Sequence, residues 1–338
     1  MLNNSTISKI LVVKNKAMGD AVLGLSTIEY LKTEFSNAYI DYAIPAWIHP
    51  LFEKTKNPFN QLISCDLNNI SDGLALYSRL KKEKYDLIIE LNQAGRTSKF
   101  FNLYQILTGT TYGYHNHHRK DQTIILDQGV RKPNIQRDLD GCYSVLKNHQ
   151  LIDGKKNPSF LDYTPVLGEK SEKCGSKIVF GVVSQRETKM WPLTHFGELS
   201  QLIEKKYPEK EIIIPLSNLE KDCVLKTQID QLGFSKNCKV VQLPLSDMPS
   251  LFSDAQIYIG NDTGIKHIAI SMGVKSHTFF GPEEPLEWHP YDTGVHTYSF
   301  MSDLECRTRT SHFCGLSTCE SMICLNQFKA EEIFNLLF

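Results

Sequence analysis

The residues best equipped for chemistry in this 338-residue chain lie in loops that follow short apolar runs. The first loop is Met18-Gly19-Asp20. Asp20 reads either as a helix N-cap, a position that favours Asp and suits the helix dipole, or as a general base that takes a proton from an acceptor hydroxyl. The second is Ser184-Gln185-Arg186-Glu187-Thr188-Lys189-Met190-Trp191-Pro192. It is a solvated polar loop or a diphosphate clamp, with Lys189 as point charge and Ser184 as hydroxyl donor. The third is Gly260-Asn261-Asp262-Thr263-Gly264-Ile265-Lys266-His267. This small-residue turn opens a helix, where free N–H groups and the positive dipole end make an anion site. It matches neither the dinucleotide fingerprint nor the P-loop, so an oxidoreductase is disfavoured. A lone helical His such as His267 is more often packed and hydrogen-bonded than catalytic. The fourth loop, residues 279–291, holds three prolines and either covers the sheet edge or shapes a cleft.

Two further constellations carry weaker signals. Asp138-Leu139-Asp140 has the spacing of a metal-binding carboxylate pair, but it sits at a charged helix start and reads as a solvated face. The tract His115-Asn116-His117-His118-Arg119-Lys120 is a plain polar loop first, a contact for an anionic acceptor second, and a metal tract only by composition. No metal site is expected.

The elements that must position these loops alternate between short apolar runs and amphipathic stretches, the pattern of βαβ units on a parallel sheet. Strands are predicted at 9–13, 38–43 and 86–90, with shorter ones near Leu62 and Tyr112. A helix follows Asp20, and others are predicted at 97–107 and 134–149. Turn formers leave 115–175 irregular around that last helix, with a linker near 165–175. Alternation resumes with strands at 177–183, 211–214, 239–243, 256–259 and 277–280. The intervening helices are predicted at 195–206, 219–232, 248–252 and after Thr263, and a last one begins at Ala330. Two open α/β sheets in series place ligands outside the carboxyl ends of strands.

Bulk properties agree. The length fits about two domains. A net charge of −1 gives no field that draws the chain to nucleic acid, which is not expected as a partner. With no signal peptide and no apolar run long enough to span a bilayer, a cytoplasmic location is expected. The nine cysteines are odd in number and form no CxxC pair, so free or buried thiols are expected over zinc.

Taken in order, the four loops resemble the ADP-heptose lipopolysaccharide heptosyltransferases, glycosyltransferase family 9. The matching stretches are Met18-Gly19-Asp20, Lys189-Met190-Trp191-Pro192, Asn261 to Ala269, and Phe280-Gly281-Pro282 with Trp288-His289-Pro290-Tyr291. The resemblance implies an α/β fold of GT-B type, two Rossmann-like domains with parallel sheets facing across a cleft. It assigns 1–170 to the acceptor and 171–325 to the nucleotide-sugar donor, with 326–338 a helix that can pack back on the first domain. It implies inverting, metal-independent transfer of a sugar, heptose from ADP-heptose, to a lipopolysaccharide core or related lipid-linked or oligosaccharide acceptor. No cofactor is implied beyond that donor substrate, and peripheral contact with the inner membrane goes with such an acceptor. Asp20 then resembles the general base and Lys189 the group that neutralises the departing diphosphate. Glu220, Asp262, Thr263 and Gly264 resemble donor contacts, and Ser184, Gln185, Arg186 and His267 in the same loops are further donor-binding candidates. Arg96 is the acceptor contact the resemblance offers, whereas His115, His117, Arg119 and Lys120, acceptor candidates by residue type alone, match no family motif. The family commonly has a proline a few residues after the loop-one Asp, where this chain reads Gly24-Leu25-Ser26. Alternatives are another transferase or epimerase of the same fold using a different nucleotide-sugar, and a non-catalytic nucleotide-sugar binder.

Overall fold

The computed structural model describes residues 7–91, 95–114, 132–168, 175–306 and 318–338. The chain divides into two compact units at Val166/Leu167, a few residues before the expected boundary at 170.

The first unit is built on a five-stranded parallel sheet in the order β3-β2-β1-β4-β5. Its strands are β1 (Lys9–Val13), β2 (Tyr39–Ile44), β3 (Leu62–Ser64), β4 (Leu87–Glu90) and β5 (Thr111–Tyr114). The central strands are covered on both faces, which is why they read as unbroken apolar runs. Helices α1 (Met18–Leu23) and α2 (Leu25–Glu34) follow β1, and α3 (Ile70–Glu83) and α4 (Gly95–Thr108) flank β4. Gly24 separates α1 from α2. A Cβ there would lie 2.2 Å from the Tyr42 hydroxyl, which reaches past it to donate to the Ala21 carbonyl at 2.9 Å.

The helix α5 (Asn134–Asn148) corrects one expectation. Asp138 and Asp140 do not form a solvated face: they are 3% and 5% exposed. Ile135, Leu139, Cys142, Val145 and Leu146 turn α5 onto the unit's core, and the two carboxylates go down with them. Each is paired. Asp138 takes both oxygens to Lys14 Nζ, at 2.8 and 2.6 Å. Asp140 accepts from Lys132, Gln136 and Asn157.

The second unit carries a six-stranded parallel sheet in the order β11-β10-β9-β6-β7-β8. Its strands are β6 (Lys177–Gly181), β7 (Glu211–Leu216), β8 (Cys238–Gln242), β9 (Ala255–Asn261), β10 (Lys275–Phe280) and β11 (His296–Phe300). The helices are α6 (Leu193–Lys206), α7 (Glu220–Gln231), α8 (Met248–Phe252), α9 (Gly264–Ser271), α10 (Pro285–Trp288), α11 (Ile323–Asn326) and α12 (Ala330–Leu337). Trp191, Phe180, Phe196 and Phe279 fill one core, and Trp191 stacks on Phe279 at 4.0 Å. The buried face of α12, expected to return to the first domain, lies against α6 of its own unit. Ile333 joins the core of Phe196, Leu199 and Ile203, and Tyr207 donates to the Phe338 carbonyl at 3.1 Å. The apolar side of α12 packs on the core side of α6. Cys65 and Cys142 are free, buried thiols; Cys174 and Cys314 lie outside the described residues.

In both units the first strand sits at the centre, with later strands added on either side. That reversal falls between β1 and β4 in the first sheet and between β6 and β9 in the second. Ligands of doubly wound sheets bind outside the carboxyl ends of strands at this switch point.

Candidate active site

The second-unit switch point brings together loops two, three and four. β6 runs into loop two, which makes a 3-10 turn at Glu187–Lys189 before Trp191-Pro192 leads into α6. β9 ends at Asn261, whose buried amide joins the loops: it accepts from the Trp191 N–H and donates to the Val182 carbonyl, both at 2.8 Å. Trp191 is fully buried and donates from its indole to the Phe328 carbonyl at 2.9 Å. Loop two is therefore pinned at its far end, and Lys189 is held beside Asp262.

Asp262 is the hub. Its carboxylate is 5% exposed and bridges two ammonium groups, Lys189 at 2.7 Å through Oδ2 and Lys266 at 2.5 Å through Oδ1. Burial pushes the Asp262 carboxyl up, but Lys189 and Lys266 together outweigh it and hold it well below the usual carboxylate range. Lys266 has no exposed surface; it also donates to the Trp288 carbonyl at 2.7 Å and lies 4.8 Å over the Phe280 ring. Burial lowers its ammonium pKa, against the pull of Asp262.

Thr263 is the N-cap of α9 and Gly264 its first residue, so the first amides of α9 open beside this charge cluster. Loop four closes in from the next strand. A Cβ on Gly281 would meet the Thr188 carbonyl oxygen at 2.6 Å, so only glycine allows loops two and four this approach. Glu283 pairs with Arg186. Burial raises the Glu283 carboxyl, with Lys189 and Arg186 opposing.

His267 is buried, and its Nδ1 shares a 2.5 Å hydrogen bond with the Tyr291 hydroxyl. Burial and the Lys266 charge push its pKa well below the ordinary value, and His289 is pushed down to about 3 for the same reasons. Both rings are neutral at pH 7, and His267 braces α9 against loop four. Of the remaining donor residues, Ser184 is buried, Gln185 is exposed, and Glu220 is exposed as the first residue of α7. In the Glu220 loop the buried carboxylate is instead Asp222, which accepts from the Ser217 N–H and hydroxyl at 2.8 and 2.5 Å.

In the first unit Asp20 is half-buried and is not an N-cap. Ala17 holds that position, and Asp20 is the third residue of α1, where a carboxylate faces the positive helix end. Lys14, which leaves β1 ahead of this turn, is buried with Asp138, and the Asp20 charge is close enough to Asp138 to raise its carboxyl further. At the end of β4 the buried Glu90 accepts from the Thr97 and Tyr112 hydroxyls. Arg96 is exposed on α4 and donates to the Leu67 carbonyl at 3.3 Å. His115, His117, Arg119 and Lys120 lie outside the described residues.

Sequence reading missed Asn261, Lys266 and Glu283 as site residues, and Lys14 with Asp138. One signal was available: Asp262 and Lys266 stand four apart at a helix start, the spacing at which opposite charges meet.

Two parallel doubly wound α/β units, the second with a cationic, amide-bearing turn at its switch point, define an α/β protein of GT-B type. Comparison with known proteins narrows the class. The profile of glycosyltransferase family 9 (heptosyltransferase) matches residues 74–316. Lipopolysaccharide heptosyltransferase 1 of Campylobacter coli is 22% identical over 358 residues, covering 97% of this chain and 98% of that one. Lipopolysaccharide heptosyltransferase 2 of Escherichia coli is 24% identical over 82% of this chain and 84% of its own. Among solved structures, a glycosyl transferase family 9 protein of Veillonella parvula superposes with TM-score 0.73 at 17% identity, covering 99% of this chain and 96% of that one. E. coli heptosyltransferase WaaC, solved with ADP, gives 0.70 at 13% identity, covering 97% and 98%. The chain belongs to glycosyltransferase family 9, the heptosyltransferases, and is a glycosyltransferase.

Proposed function

We propose that this enzyme moves a heptose from ADP-heptose to a lipopolysaccharide core or related glycoconjugate acceptor, with inversion and without a metal ion. The observation that carries this reading is the Lys189–Asp262–Lys266 bridge beside the first amides of α9. Inverting transfer needs a base on one face of the anomeric carbon and a stabilised leaving group opposite. Lys189 and the α9 amides supply fixed positive charge where the departing diphosphate gathers negative charge, the task a metal performs elsewhere. Asp20 takes the proton from the acceptor hydroxyl, a contribution of about 10²–10⁴ in rate. Relatives named as lipopolysaccharide heptosyltransferases, and a structural neighbour solved with ADP, support the choice of sugar and nucleotide.

A lipid-borne acceptor brings the enzyme to a membrane surface. Leu103, Ile106 and Leu107, exposed along α4, support peripheral contact. Among the described residues no helix is long and apolar enough to cross a membrane.

The test is turnover with ADP-, UDP- and GDP-linked sugars and a lipopolysaccharide core acceptor, with and without EDTA. Transfer from ADP-heptose that EDTA leaves intact is the expected result. Preference for a UDP- or GDP-sugar, or loss of activity with EDTA, would refute the corresponding part of the reading.

A further inference from the structure

Lys266 is an unusual group to find with no exposed surface. Each of its contacts is electron-rich: the Asp262 carboxylate, the Trp288 carbonyl and the face of Phe280. A neutral amine would present a lone pair to these acceptors, so the group is held as an ammonium. It lies behind Asp262, on the oxygen opposite the one that meets Lys189. Without Lys266, Asp262 would cancel the charge of Lys189, and Glu283 already cancels that of Arg186. The neighbouring His267 and His289 are neutral and add nothing. Among these residues, three cations face two carboxylates, and the surplus charge depends on Lys266.

We infer that Lys266 is a positioning residue that serves as the internal counter-ion of Asp262, so that Lys189 is oriented by Asp262 yet the pocket keeps a net positive charge for a diphosphate. This rests on the reading of the pocket as the donor-diphosphate site. Lys266 does not touch the diphosphate; it acts through Asp262. The arrangement fixes Lys189 against a rigid carboxylate without making the site electrically neutral. Selectivity between diphosphate and monophosphate ligands then follows from one buried side chain in the first turn of α9.

The experiment is calorimetric binding of ADP and AMP to four forms of the full chain: wild type, Lys189→Ala, Lys266→Met and Asp262→Asn/Lys266→Met. Lys266→Met removes the surplus charge at similar side-chain length and should weaken ADP at least about tenfold, and AMP less, because only ADP carries the second phosphate. The double variant strands no buried charge and restores the surplus but gives up the Asp262 brace on Lys189, so it should bind ADP at least about threefold more tightly than Lys266→Met and than the charge-neutral Lys189→Ala, without regaining wild-type affinity. A purely structural role for Lys266 would not give this rescue, and if the single variant fails to fold, the double variant is judged against Lys189→Ala. ADP affinity unchanged in Lys266→Met, or a folded double variant that binds ADP no more tightly than Lys266→Met or, where that does not fold, than Lys189→Ala, overturns the counter-ion role. A wild type that binds no ADP, or a Lys189→Ala variant that binds it as well as wild type, overturns the donor-site reading instead.

Discussion

Replacing Asp138 with leucine probes the buried pair beneath the first loop. Lys14 Nζ lies within 2.8 Å of both Asp138 oxygens, and each side chain is only 4% exposed. Burial raises the Asp138 carboxyl despite Lys14, so holding both charges there is already costly. Asp138→Leu keeps a similar volume and fits the apolar face of α5, but it leaves the Lys14 ammonium out of water without the carboxylate it is paired with. Breaking a buried pair in this way costs about 3–5 kcal/mol. In a unit of this size each kcal/mol lowers Tm by roughly 2–4 °C, so the first unit should melt about 6–20 °C lower. The companion variant Lys14→Met/Asp138→Leu removes both charges and should return to about wild-type stability or exceed it, as apolar replacements of buried pairs often do. Calorimetric scans at neutral pH, with urea unfolding as a second probe, read both effects. An Asp138→Leu protein that melts at the wild-type temperature, or a double variant no better than the single, would refute the interdependence of the two charges.

Three further outcomes are expected. Lys189→Ala should lower kcat by about 10²–10³, the usual effect of losing one preorganised transition-state donor, measured as initial rates of nucleoside diphosphate release; a loss under about threefold would remove Lys189 from that role. Gly281→Ala puts a methyl group 2.6 Å from the Thr188 carbonyl oxygen, so loops two and four must part. ADP affinity should fall several-fold and Tm should drop, and unchanged calorimetry would contradict the close approach. The Asp262 carboxyl is depressed in the folded state, so its stabilising contribution is full above the unfolded carboxylate pKa of about 3.9 and is lost as pH falls below it. Urea midpoints measured from pH 7 to pH 3 should therefore fall at the acid end more steeply in wild type than in Asp262→Asn, and parallel curves would count against the bridge.

What the sequence revealed follows from how each element is buried. Strands covered on both faces, such as β1 with Ile10 to Val13 and β4 with Leu87 to Ile89, have no polar positions to interrupt the apolar run. The missed elements lack that signal. Helix α3 buries only Leu76 and Leu80 while Ile70 and Leu74 are exposed, so only two leucines of its apolar side are covered. β11 is an edge strand of half-buried His296, Thr297, Ser299 and Phe300 with an exposed Tyr298, and nothing in that composition requires a strand. The strand-end loops were legible because Gly, Asn, Asp and Thr after an apolar run have few other uses. Lys266 and Asp138 were not, because a charged residue reads as solvated unless its partner is known. Asp262 and Lys266 are four residues apart, whereas Lys14 and Asp138 are 124 apart, a pairing that only the fold reveals.

The transferase reading depends on Asp20 acting as base on an acceptor while the Lys189–Asp262 pocket holds the donor. The most direct measurement is single-turnover transfer from ADP-heptose to a lipopolysaccharide core acceptor by Asp20→Asn, together with its affinity for ADP. The expected result is a rate reduced by about 10²–10⁴ with ADP affinity unchanged. Transfer at the wild-type rate, or an ADP affinity that falls together with the rate, would contradict it.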